Sequence, residues 1–297
     1  MLTAENHDAD TGSATPWRAA VRILRRDRSA VVGASVLMVL ALIALGADWV
    51  APYSPLDQPD IIGLKNIPPT LAHPFGTDDA SRDVLSRIIH GARVSLSVAF
   101  LSVLVSATVG TAYGAVAGYA GGVIDGVLMR IVDAMMAIPR VLLLIAVATL
   151  WNGLGITGLI LLLGLTGWFG VSRLVRTMVL SAREDEFVTA ARALGATDAR
   201  ILVRHILPQV ISPVLVAATL GIGNVVVIEA GLTYLGMGVA RPYASWGSVF
   251  RDGMSTFAST WWVWGFAGLA LVITVLAVNL VADGLRQALS GRQLPAR

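Results

Sequence analysis

The sequence predicts an all-α polytopic membrane protein, and three observations carry that expectation. Six apolar stretches, at 29–50, 94–119, 126–150, 156–180, 211–235 and 260–281, each meet or exceed the ~20 residues that cross ~30 Å of hydrocarbon as a helix. Of the 297 residues, 56% are hydrophobic and 14% charged, and the mean hydropathy is +0.73, values foreign to an ordinary soluble domain. A polar segment with helical periodicity of its own, Ser181 to Pro208, separates two of the apolar stretches. The expected organisation is a tail at 1–28, a membrane unit at 29–283 with an outer loop at 51–92 and a polar loop at 181–208, and a second tail at 284–297.

Met1 to Thr15 is polar, acidic and aperiodic, which predicts disorder. From Trp17, the residues Arg18, Arg22, Arg25, Arg26 and Arg28 alternate with Val21, Ile23 and Leu24. Such a segment suits either an amphipathic surface helix or the basic flank of a first span, and the flank is the simpler reading. The apolar run that follows continues to Val50 without a small-residue cleavage site, so it reads as a span and not as a cleaved signal.

In the outer loop, Pro52, Pro55, Pro59, Pro68, Pro69 and Pro74 predict an extended, non-helical stretch. Thr77 then reads as the N-cap of a helix opening at Asp78 and Asp79, with Val84, Leu85, Ile88 and Ile89 as its apolar stripe. Gly110, Gly114 and Gly118 recur at i+4 in the second span, with Ala112, Ala115 and Ala117 among them. Small faces let helices approach closely in lipid, so this span belongs inside a bundle.

The third span carries charge at Asp125, Arg130, Asp133 and Arg140. The i, i+3 spacing of Arg130 and Asp133 predicts a structural ion pair. Arg140 follows Pro139 some fifteen residues into the span, ~22 Å along a helix, where an unpaired charge costs several kcal/mol unless it faces water. It is therefore expected either to line a translocation path or gate, or to sit in an intersubunit ion pair. In the fifth span, Asn224 and Glu229 are the other polar candidates for the path. Counted from Pro208, Glu229 lies ~31 Å up a helix, which places it at the outer interface in a hydrogen-bonded or snorkelling role.

The segment SAREDEFVTAARALGATDARILVRHILP reads as two short helices outside the bilayer. The first opens on Glu184, Asp185 and Glu186, carries Arg192 near its end and leaves through Gly195. Thr197 caps the second, which Pro208 is expected to end. Phe187, Ala190, Ala191 and Leu194 fall at i, i+3, i+4 and i+7, a small apolar face offered to a partner. Spacing alone also allows an ordinary interfacial hairpin. Six crossings put both termini on one side, and Arg18 to Arg28, Arg183, Arg192, Arg200, Arg204, Arg286, Arg292 and Arg297 make that side cytoplasmic.

At these residues the chain resembles a known family. Ala190, Ala191, Gly195, Leu207 and Pro208 are similar to the EAA loop of ABC importer permeases, with Thr189 where the loop's glutamate often stands and Glu186 the nearest acid. Glu186-Phe187-Val188, HILP at 205–208, HPFGTDDASRDVLSRIIHGARVSL at 73–96, EAGLTYLGMG at 229–238 and Ser245-Trp246-Gly247 resemble the dipeptide, oligopeptide and nickel branch. Asn279, Asp283, Gly284, Leu285 and Arg286 are similar to that branch's ending, from which Ser290-Gly291-Arg292 departs.

The resemblance implies a bacterial cytoplasmic-membrane permease that forms half of a pore with a second, homologous permease. It implies two cytoplasmic ATPases, which hold ATP and Mg, and an extracytoplasmic binding protein. By the same resemblance Glu186, Phe187, Ala190, Ala191, Leu194, Gly195 and Asp198 couple to the ATPase. Short peptides are the commonest cargo of the branch, with nickel chelates, glutathione and glycosides as alternatives.

Chemistry of the chain's own is not visible. It has no cysteine, no GxxxxGK[ST] phosphate loop, no HExxH, no GxSxG elbow, and His7, His73, His90 and His205 lack metal-ligand spacing. A net charge of +3, clustered beside spans, argues for membrane topology over nucleic-acid binding. A stand-alone secondary transporter would call for intramembrane acid pairs and an internal repeat, and a membrane enzyme for a catalytic cluster.

Overall fold

The computed structural model describes residues 26–151, 155–239 and 242–289, and among them the regular elements are all helical. The expectations for the arginine-rich tail before Arg26 and for Ser290 to Arg297 lie outside the described residues. The helices are α1 (Arg28–Leu45), α2 (Ala47–Val50), α3 (Val84–Ala120), α4 (Gly122–Ala137), α5 (Arg140–Leu150), α6 (Ile156–Ala182), α7 (Glu186–Ala193), α8 (Asp198–Ile201), α9 (Leu207–Tyr234), α10 (Trp246–Met254) and α11 (Trp261–Leu289). Five are long and apolar enough to cross a membrane: α1, α3, α6, the α8–α9 rod and α11.

The third span differs from its prediction. Instead of one helix over 126–150, α4 and α5 meet at an 80° bend. Pro139 lacks an N–H and drives its predecessor out of the helical region, and Ile138 sits at φ −85°, ψ 124°. Arg140 is thus the first residue of a new helix and not a point 22 Å up a straight one.

A second correction concerns α3. Thr77 does not cap it; Asp83 does, its Oδ2 accepting from the Ser86 N–H at 2.7 Å. Asp78 and Asp79 lie in a turn instead, in which Asp78 Oδ1 accepts from the Ala80 and Arg82 N–H groups, both at 2.9 Å, and Ser81 takes φ +63°. The helix then runs unbroken for 37 residues from the outer loop to the opposite end of the bundle.

Its glycine face meets α6 backbone to backbone. A Cβ on Gly110, Gly114 or Gly118 would lie 2.8, 2.3 or 2.7 Å from the carbonyl oxygens of Trp168, Ser172 and Arg176 respectively. That is the close approach the spacing predicted, and it makes α3–α6 the spine of the fold. Gly33 does the same for α1 against α11, where a Cβ would lie 2.6 Å from the Ala277 oxygen.

At the N-terminal end of α3, Asp78 Oδ2 accepts from Arg82 Nε at 2.8 Å and from Arg87 Nη1. Asp252 Oδ2, on α10, accepts from Arg82 Nη2 at 3.0 Å and from Arg87 Nη2 at 2.8 Å. The side chains of this four-residue box are at most 10% exposed. It locks the outer loop and the start of α3 to α10. Arg93 makes a further tie, donating to Asp48 on α2 at 3.0 Å and holding that carboxyl below its usual range. Removing one partner of a buried pair strands its charge, at ~3–5 kcal/mol. Asp252→Ala is therefore expected to lower the thermal unfolding midpoint of the detergent-purified protein sharply, with Asp252→Asn intermediate; an unchanged midpoint for both would show that the box contributes nothing.

Candidate coupling and pathway sites

The polar loop folds as two helices, as its pattern predicted. α7 closes in a Schellman motif: Ala196 N–H donates to Ala191 O at 3.1 Å, Gly195 N–H to Arg192 O at 3.0 Å, and Gly195 takes φ +82°. Thr197 Oγ1 accepts from the Arg200 N–H at 3.4 Å and so caps α8. Pro208, however, ends nothing. α8 passes through a π-helical turn, Leu202–Ile206, directly into α9. Proline cannot donate to the carbonyl four residues back and its ring crowds that oxygen; the wider π turn absorbs the misfit, with Leu207 N–H bonded to Leu202 O. The hairpin is in consequence one rod with the fifth span.

The apolar face of α7 is narrower than its spacing suggests. Val188, which the pattern did not single out, is 1% exposed and packs with Val179, Ala182, Ile201 and Ile206. Phe187 and Ala191 turn partly onto the same cluster, leaving Glu186, Ala190 and Leu194 outward. Leu194 is 88% exposed. Asp198, also exposed, accepts from Tyr119 Oη at 2.6 Å and faces Arg192 at 3.6 Å, while Arg183 Nη1 donates to the Tyr119 carbonyl at 2.9 Å. These bonds pin the hairpin to the C-terminal end of α3.

Of the three polar candidates for a path, two come together. Arg140 and Asn224 line one recess of ≈ 200 Å³ among α3, α6 and α9, walled largely by small residues such as Ala107, Gly167, Ala217 and Gly221. Glu229 is elsewhere and is fully buried. It accepts from Ser95 Oγ at 3.1 Å and from Thr233 Oγ1 at 2.8 Å, so the hydrogen-bonded role holds and the snorkelling one does not. Packing of α9 against α3, together with the Ser95 hydroxyl that also accepts from Trp246 N–H at 3.2 Å, encloses it.

The predicted Arg130–Asp133 pair does not form. Asp133 bonds Arg173, and Asp125 is doubly bonded by Arg176 at 2.6 and 2.9 Å, both arginines coming from α6. Inter-helix partners have replaced the i, i+3 neighbour. Arg140 has no carboxylate partner among the described residues: Nη2 donates to Leu163 O at 2.9 Å, and Nε is buried without an acceptor.

Comparison with known proteins accords with this architecture. Residues 110–294 match the family described as the binding-protein-dependent transport system inner membrane component, and residues 15–69 match the N-terminal membrane domain of oligopeptide transport permease C. The dipeptide transport system permease protein DppC of Bacillus subtilis is 35% identical over 96% of this chain and 89% of its own length. A putative peptide permease protein of Brucella suis is 40% identical over 93% of this chain and 90% of its own. An inward-facing structure of the MetNI methionine ABC transporter superposes with a TM-score of 0.53 at 21% identity, covering 69% of this chain and 97% of that one, which supports the fold. The family match over 110–294 and these relatives together show that the chain belongs to the binding-protein-dependent transport system inner membrane component family.

Proposed function

We propose that this chain is one of two homologous permease subunits forming the pore of an ATP-driven importer of short peptides in a bacterial cytoplasmic membrane, with both termini cytoplasmic. The observation that carries this reading is the hairpin, held from within by Val188 and from α3 by Tyr119, yet presenting Leu194 at 88% exposure. With Ala190 and Gly195 also exposed beside it, Leu194 extends an apolar patch on an otherwise polar hairpin, which supports a docking surface.

Glu186, Ala190, Leu194 and Gly195 would seat in a cytoplasmic ATPase, with Phe187, Ala191 and Asp198 setting the hairpin's pose. Two such ATPases, holding ATP and Mg, supply the energy, and an extracytoplasmic binding protein delivers cargo. The chain itself carries out no catalysis. When the ATPases close on nucleotide, movement of α7 and α8 passes through the π turn into α9 as a lever. The names of the relatives, dipeptide and peptide permeases, support the cargo class.

The test is co-expression with the candidate ATPases, second permease and binding protein, purification, and uptake of labelled di- and tripeptides into proteoliposomes. Uptake that requires ATP, binding protein and both permeases is expected. Peptide uptake by this chain alone would overturn the reading, and ATP-dependent uptake of nickel chelates, glutathione or glycosides but of no peptide would overturn the cargo.

A further inference from the structure

Arg140 stands apart from the arginines of α6, whose acids are in place, because its guanidinium enters a recess with no counter-charge. Resting on the peptide-importer reading, we propose that Arg140 is a specificity-determining residue that receives the C-terminal carboxylate of the peptide in transit, with the Asn224 side chain lining the same recess available to its amide groups.

The argument begins with space. The Arg140 guanidinium borders a recess of ≈ 200 Å³, room for the end of a small peptide. The space is kept open by the absence of side chains. At Gly167 a Cβ would lie 2.4 Å from Ser106 Oγ and 3.1 Å from Arg140 Nη2, so even alanine would crowd the guanidinium.

Chemistry follows from the donors. Arginine presents five N–H groups in a fork that matches a carboxylate, and only one of its contacts, Nη2 to Leu163 O, is satisfied within the chain. That bond also fixes the fork's orientation. Nε is buried without an acceptor among the described residues, so the guanidinium bordering the recess carries a charge that no carboxylate of the described residues offsets. Position agrees: three spanning helices, α3, α6 and α9, contribute the walls, and α6 and α9 are the two that flank the hairpin, so motion of the lever would alter this recess.

The experiment uses the complete importer in proteoliposomes, as wild type, Arg140→Gln and Arg140→Lys. The probes are labelled trialanine and its C-terminal amide, each at a concentration shown by titration to saturate the binding protein. Wild type is expected to carry the free acid about tenfold faster than the amide, since one charge-assisted contact is worth at least that factor. Arg140→Gln should lose that preference through slower uptake of the acid, Arg140→Lys should keep most of it, and subunit co-purification should stay unchanged in both.

The proposal is overturned if Arg140→Gln carries the acid at the wild-type rate or retains the acid-over-amide preference. It is equally overturned if that variant sheds the second permease, which would make Arg140 an intersubunit ion-pair residue. Failure of the wild type to carry either probe while it imports another cargo would instead remove the peptide reading beneath it.

Discussion

Leu194→Glu is expected to reduce ATP-driven uptake by the assembled importer at least ~30-fold, while leaving peptide binding by the extracytoplasmic partner and the fold of the permease intact. The magnitude follows from the ~2 kcal/mol or more that a central apolar residue contributes to an interface, with a desolvated charge adding to the penalty. The selectivity follows from placement. Leu194 is 88% exposed and its side chain supports nothing within the chain, whereas Ala191 packs in part on the cluster around Val188. Ala191→Arg is also expected to abolish transport, but it would disturb the hairpin's seat as well as the contact beneath it.

Gly195→Asp falls between the two: φ +82° is strained for a side chain by ~1–2 kcal/mol, and the added carboxylate lies beside the docking face. The three variants therefore separate lever from seat. Loss of uptake in Leu194→Glu, with co-purification of the ATPases reduced in parallel, supports docking through this residue. Uptake within twofold of wild type in both Leu194→Glu and Gly195→Asp would end the coupling assignment.

Much of this architecture was legible in sequence because it depends on signals that need no distant partner. Apolar length gave the spans, and i, i+4 glycines gave the contact face of α3. Gly195 and Thr197 marked the hairpin's turn through their own backbone preferences. What escaped was decided at long range.

Thr77 and Asp83 are both competent caps for α3, and the choice falls to Asp83 because Asp78 is committed to Arg82 and Arg87, themselves held by Asp252 some 165 to 170 residues away. No local pattern contains that information. Arg130 and Asp133 had ideal spacing, yet Arg173 on the facing helix reached Asp133 instead. The depth assigned to Glu229 assumed an isolated helix measured from Pro208, and packing against Ser95 made depth irrelevant. Pro139 was the exception, a visible breaker whose effect was masked by the unbroken hydropathy on both sides of it.

A loss of stability is also expected from Gly114, at the tightest point of the α3–α6 spine. Alanine there places a Cβ 2.3 Å from the Ser172 carbonyl oxygen and 2.9 Å from Val175 Cβ, and neither atom can swing aside, because one is backbone and the other is fixed to it. Relief requires the two helices to part. On helix propensity alone the change would stabilise by ~1 kcal/mol, so the sign rests on overpacking, which costs ~1–3 kcal/mol and here also separates the helices along the neighbouring Gly110 and Gly118 contacts.

Gly114→Ala should therefore lower the unfolding midpoint, and Gly114→Leu should prevent accumulation of folded protein. Gly126→Ala supplies the control, since an added Cβ there meets nothing within 4 Å and only the propensity gain remains. If Gly114→Ala matches Gly126→Ala in stability, the helices are not held by close approach. If it falls as expected, uptake should fall with it, because α3 holds Arg87 of the Asp78–Asp252 box near one end and, through Tyr119, the hairpin at the other.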